Sequence, residues 1–144
     1  MSIRIFYDET KFRLKVWRKT RQIINSIIGE ENKRAGNINF IITNDKTLRK
    51  INVQFLEHDY NTDVIAFNYT DVDIINGEIY LSLETIKRNS INYNVSLKME
   101  ILRVMIHGVL HLVGYDDKSE EESIQMRRME ERWLSLFIEK SDGI

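Results

Sequence analysis

His107-Gly108-Val109-Leu110-His111-Leu112-Val113-Gly114-Tyr115-Asp116-Asp117 is the stretch on which the reading of this chain turns. Residues four apart on a helix project from one face, about a turn from each other, so two imidazoles placed this way can grip a single ion. Gly114 follows at a point where the backbone can turn left-handed and end the helix. The chain can then reverse, and Asp117 can face the two imidazoles. Two histidines and a carboxylate are three protein ligands for one divalent ion, with a position left for water, the arrangement of catalytic sites. Asp116, next in line, competes with Asp117 for the third place. Zinc peptidases of this spacing carry a glutamate directly after the first histidine as general base. Here that position is Gly108, which cannot take a proton. Proteolysis is disfavoured, and the missing side chain is expected to leave open space beside the ion for a bulky substrate such as a phosphodiester.

The rest of the composition narrows the choice. The chain of 144 residues has three histidines and no cysteine, which excludes disulfides and thiolate ligands. A hydrophobic fraction of 42% and a charged fraction of 30% fit an ordinary globular protein, and the expectation is one domain, 1–144. The first residues alternate polar and apolar and meet Asp8-Glu9, unlike a signal peptide. The longest uncharged apolar run, 104–114, is too short to span a bilayer. The expectation is a soluble, cytoplasmic protein with no membrane partner. The net charge is −1, but Lys11, Arg13, Lys15, Arg18, Lys19 and Arg21 follow one another with no acid between them. Such a face can hold a polyanion, though a solvated helix face is the plainer reading.

Periodicity supplies the elements. Ile3, Ile5 and Tyr7 alternate as a first strand, and Ile38, Phe40 and Ile42 as a second. Phe12, Val16, Ile23, Ile27 and Ile28 recur at helical spacing up to Gly29. Thr43 or Asn44 can cap a short helix carrying Leu48, Ile51 and Phe55. Strands are expected at 62–67 and 78–82, with Asn76-Gly77 as a tight turn before the latter. Helices are expected at 83–89 and, capped by Ser96, at 97–113, the second half of which is apolar nearly all round and therefore buried. Ser119 with Glu122 makes a capping box for a last helix whose apolar stripe is Ile124, Met129, Trp133, Leu136 and Phe137. The implied fold is mixed α/β: a central sheet of roughly four strands, mostly parallel with one antiparallel, packed by about five helices.

The quoted stretch resembles the signature H-G-x-L-H-L-x-G-Y-D-H of the YbeY-type endoribonucleases. The family's upstream block, L-N-x-x-Y-R-x-K-D-x-P-T-D-V-L-S-F, is similar to Ile51-Asn52 through Phe67, and its G-D-I-x-I-S strand to Gly77 through Ser82. An acidic helix with M-x-x-x-E is matched by Met126 through Glu130. The resemblance implies a zincin-like metal helix and a metal-dependent endoribonuclease of single-stranded RNA. It implies a role in maturing the 3′ end of small-subunit ribosomal RNA and in ribosome quality control. The small subunit and its associated proteins are the implied partners. The implied ion is zinc, held by His107, His111 and Asp117, whose bound water would be the nucleophile; attack by the RNA's own 2′-hydroxyl is the other chemistry left open.

Departures from the pattern fall at named positions. The third family histidine is Asp117, still a competent zinc ligand but one that adds negative charge and admits harder metals. The family arginine is Leu56, its lysine His58, its serine Ala66 and its strand aspartate Glu78. His58 is a candidate cation near the substrate, with an exposed loop histidine as the simpler reading. Thr62 and Asp63 are retained, either to support the edge of the site or to bond the start of a strand. No side chain is nominated as general base. Loss of the arginine motivates a second reading, a ribosome-assembly RNA-binding protein with a structural metal and weak or no catalysis. A minimal metallopeptidase is the third.

Overall fold

A computed structural model of the chain describes residues 1–56 and 62–138. In order the elements are β1 (Ile3–Tyr7), α1 (Trp17–Glu30), β2 (Arg34–Thr43), α2 (Asp45–Ile51) running into a π-helical turn (Asn52–Leu56), β3 (Val64–Asn68), β4 (Ile74–Ser82), α3 (Leu83–Asn92), α4 (Leu97–Leu112), α5 (Glu120–Leu134) and a closing 3-10 turn (Ser135–Phe137). The sheet runs β1-β2-β4-β3. β1, β2 and β4 are parallel, and the edge strand β3 is antiparallel to β4. This is the expected mixed α/β fold with its mostly parallel sheet and five α-helices.

Alternation along the strands gives the sheet two unlike faces. Ile38, Phe40 and Ile42 of β2 and Ile75, Ile79 and Leu81 of β4 are buried on one face, where α1 and α4 pack and α5 backs α4. Each such side chain contributes about 1.5–3 kcal/mol by leaving water. On the other face Phe6 is exposed, and Ile41, Phe67 and Tyr80 are half-buried. Helix starts follow local chemistry: Asn44, Ser82, Ser96 and Ser119 each accept a backbone N–H of the first turn, and Ser119 and Glu122 form the full capping box.

α4 reaches the sheet through two glycines. A Cβ at Gly108 would lie 2.9 Å from Cγ2 of the fully buried Ile79. A Cβ at Gly77 would lie 2.7 Å from the Phe67 carbonyl oxygen and 2.8 Å from a Leu112 methyl. The missing side chain of Gly108 would thus point at the sheet, so its absence lets α4 approach β4 and, contrary to the sequence reading, is not what opens space for a substrate. Ile79 fills the place of its side chain.

Four other expectations are corrected. α1 starts at Trp17, not near Phe12, because side chains satisfy the preceding backbone: Phe12 N–H donates to Thr10 Oγ1 and Leu14 N–H to the Tyr7 hydroxyl. Asn76-Gly77 lies inside β4, since Asn76 Oδ1 accepts the Asn37 N–H across a bulge in β2. The reversal comes earlier, where Val72 takes a φ of 51° and Asp71 pairs with Ile74. Phe55 belongs to the π-turn and is exposed. On α5 Trp133 and Phe137 are buried and Met129 packs against the core as expected, joined by Met126 and Glu130, but Ile124 and Leu136 face solvent. Among the described residues no helix is long and apolar enough to cross a membrane.

Gly77→Ala places a methyl against a backbone carbonyl that cannot rotate away, so it should cost about 1–3 kcal/mol in stability. Urea unfolding of the variant beside the wild type measures this, and a change within a few tenths of a kcal/mol would show that β3 and α4 do not close on Gly77 as described.

Candidate metal centre

The helix carrying the two histidines ends in a Schellman motif. Gly114, with φ 111°, donates its N–H to the His111 carbonyl, and Tyr115 donates to that of Leu110. The chain is thereby turned back, and Asp117 comes to face the helix it has just left. His107 Nε2 and His111 Nε2 stand 3.0 Å apart. Asp117 Oδ2 is 3.3 Å from the first and Oδ1 is 3.7 Å from the second. The three donor atoms lie within 4.8 Å of one another, a group that could hold a metal ion. Asp116 is directed elsewhere: it accepts the Asp117 N–H and stands 3.8 Å from Lys118. His58 lies outside the described residues.

Behind His107 is a chain of hydrogen-bonded charges, two buried carboxylates and a half-buried guanidinium, that periodicity alone does not reveal. Glu130 of α5, almost fully buried, takes His107 Nδ1 at 2.6 Å. Arg103 donates to Glu130 at 3.0 Å and grips Glu100 with two further bonds, of 3.0 and 2.6 Å. Burial pushes the Glu130 carboxyl up. The His107 hydrogen bond and charge, with those of Arg103, outweigh it and hold the group below the usual carboxylate range. An ionised carboxylate only accepts, so Nδ1 of His107 carries a proton toward Glu130; in the neutral imidazole, the form that ligates a metal, that tautomer leaves the Nε2 lone pair facing His111 and Asp117. Two buried carboxylates against one guanidinium leave one negative charge, which favours a cation at that lone pair. Two imidazole nitrogens and a carboxylate oxygen converge here at the spacing one ion can bridge. The set fits a divalent ion of the nitrogen-and-oxygen-binding kind.

The centre opens onto a cleft of about 570 Å³ between α4, the edge strand β3 and the π-turn. Val64, Ala66 and Asn68 of β3 line it, with Leu56 and Asn52 opposite and Gly108 on its floor. Two departures from the resembled pattern, Leu56 and Ala66, thus stand in the cleft itself. Asp63 also lines it. Burial raises its carboxyl above the usual range, against the lowering influence of Arg103 and His107. Thr62 bonds locally to the Val64 carbonyl, as a strand start does. Glu78 lies on the far side of the sheet, where it accepts the Tyr69 and Tyr80 hydroxyls. The sign that marks Glu130 in the sequence is an acid on the apolar stripe of α5, four residues after Met126. The expected stripe shares Trp133 and Phe137 with the observed one but does not include Met126 or Glu130.

Residues 5–137 match the family model described as Endoribonuclease YbeY. The chain belongs to the YbeY family. A relative from Flavobacterium psychrophilum, named Endoribonuclease YbeY, is 45% identical over 119 residues, covering 83% of this chain and 85% of its own. Another of the same name, from Christiangramia forsetii, is 41% identical over 132 residues and 92% of both chains. The solution structure of TM1509 from Thermotoga maritima superimposes with a TM-score of 0.67 at 28% identity, over 92% of this chain and 87% of that one. The YbeY match spans β1 through the closing 3-10 turn, so every element that shapes the centre lies within it.

Glu130→Gln keeps the size of the side chain and removes the charge that orients His107. It should weaken metal binding by about 10–100-fold. Competitive zinc titration against a chromophoric chelator reads this directly, and unchanged affinity would remove Glu130 from the centre.

Proposed function

We propose that this YbeY-family chain is a metal-dependent endoribonuclease of single-stranded RNA. In this reading residues 1–144 form one such domain, acting in the cytoplasm on the 3′ end of small-subunit ribosomal RNA and in ribosome quality control. The small subunit and its associated proteins are its partners. His107, His111 and Asp117 hold the ion, which we take to be zinc. The observation that carries the reading is the convergence of these three donors at the wall of an open cleft, in a chain of this family.

When bound, the ion supplies a Lewis acid that polarises a phosphate oxygen and lowers the pKa of water. The protein's own groups do the rest. Glu130 keeps His107 in one tautomer, Arg103 keeps Glu130 in place, and the Gly114 reversal brings Asp117 into position. Arg103 also lines a recess of about 200 Å³ beside His107, Asp117 and Asp63, which brings a guanidinium close to the centre. Leu56 contributes apolar surface to the cleft where the family pattern has an arginine. That residue is the one observation favouring the second reading, an RNA-binding assembly protein with a structural metal. RNA cleavage that depends on added metal separates the two.

His111→Ala and Asp117→Ala should each lower bound metal from stoichiometric to a small fraction, and cleavage of unpaired RNA should fall about 100-fold or more. Metal analysis of both purified variants, with an RNA cleavage assay on each, is the test. Full metal content in both would sink the assignment.

A further inference from the structure

The sheet face turned away from the metal helix carries a row of aromatic rings that the cleavage chemistry does not use. Phe67 of β3 meets Phe55 of the π-turn edge-on at 5.9 Å between centroids, and Tyr80 of β4 edge-on at 6.0 Å. It lies parallel to Tyr69, with 7° between the planes. Phe55 and Tyr69 are 60% and 58% exposed, a large cost for rings with no further role. Glu78 accepts both tyrosine hydroxyls, so the rings of Tyr69 and Tyr80 are held in place.

Two observations say what covers these rings. The first is continuity with the cleft. Along β3, Val64, Ala66 and Asn68 line the cleft, and alternation sends Phe67 to the other face. In the π-turn, Leu56 lines the cleft while its neighbour Phe55 touches Phe67. The ring row and the cleft are thus two sides of one strand edge. The second is charge. Lys46, Arg49 and Lys50 of α2 are exposed, and with Asp45 they border a surface hollow of about 600 Å³ that ends at Val53 and Gln54 of the π-turn. Basic residues beside ordered rings suit a chain with phosphates on one side and unpaired planar bases on the other.

We propose that Phe55, Phe67, Tyr69 and Tyr80 form a stacking platform for unpaired bases of the RNA strand that enters the cleft, with Lys46 and Lys50 holding its phosphates. This rests on the RNA reading above and extends it to a second surface. It gives the protein a reason to favour single strands, because paired bases cannot lie on rings.

The test is fluorescence anisotropy of a labelled oligouridylate with the full-length protein, in a chelator so that the strand stays intact and again with zinc present. The double variant Phe55→Ala/Tyr69→Ala should bind about tenfold more weakly or worse, while Phe55→Tyr/Tyr69→Phe, which keeps both rings, should bind like the wild type. Tyr69→Trp adds an indole reporter whose emission should be quenched as the strand binds. Equal binding by the alanine variant, or unchanged indole emission from the Tyr69→Trp variant at saturating RNA, overturns the platform and leaves metal-dependent cleavage standing. Loss of wild-type self-association in the alanine variant, seen by sedimentation, would make the face a contact between copies and equally overturn it. Ring-dependent binding with no cleavage by the metal-loaded protein would sustain the platform and sink the nuclease reading.

Discussion

The close seating of α4 on β4 is the constraint from which the rest follows. Gly108 yields to Ile79 and Gly77 yields to Leu112, so each element gives up a side chain where the other presents one. Dense packing of this kind leaves little freedom in the height or rotation of the helix. With α4 fixed, His107 and His111 take fixed positions relative to the edge strand β3, and the cleft between them acquires its shape. A looser contact would still bury the helix and keep the two imidazoles one turn apart, but it would not fix where they stand relative to β3 and the cleft.

Electrostatics then act on what packing has placed. The buried Glu100 and Glu130 flank the half-buried Arg103, leaving one negative charge in excess beside His107. Buried carboxylates are costly unless hydrogen-bonded, and here each is. The row joins α4 to α5, tying the helix that carries the histidines to the helix that orients one of them. Asp117 adds a carboxylate to the two imidazoles, which makes the centre more negative than three histidines would. Together these features favour holding a cation tightly over making its water acidic.

Much of this is legible in the chain. The histidine spacing, Gly114 and Asp117 are local in sequence, and one helical turn with one reversal suffices to bring them together. Strand alternation and the serine and asparagine caps are local as well, and those elements lie where expected. The failures share a cause. Phe12, Asn76-Gly77 and the places of Ile124 and Leu136 on α5 are read from their neighbours, whereas Tyr7, Asn37 and the packing of α5 on α4 decide them from far along the chain. Glu130 is visible as part of a pattern but not as a partner of His107, because 23 residues separate the two.

The sequence by itself determined the candidate ligands and the order of the elements, since both depend on periods of two to four residues that backbone geometry imposes on any chain. Only the tertiary structure decided that Asp117 and not Asp116 faces the imidazoles, that Gly108 is a packing glycine, and that Glu130 and Arg103 stand behind the centre. These are questions of which side chains share a volume, and that is settled when the helices close on the sheet.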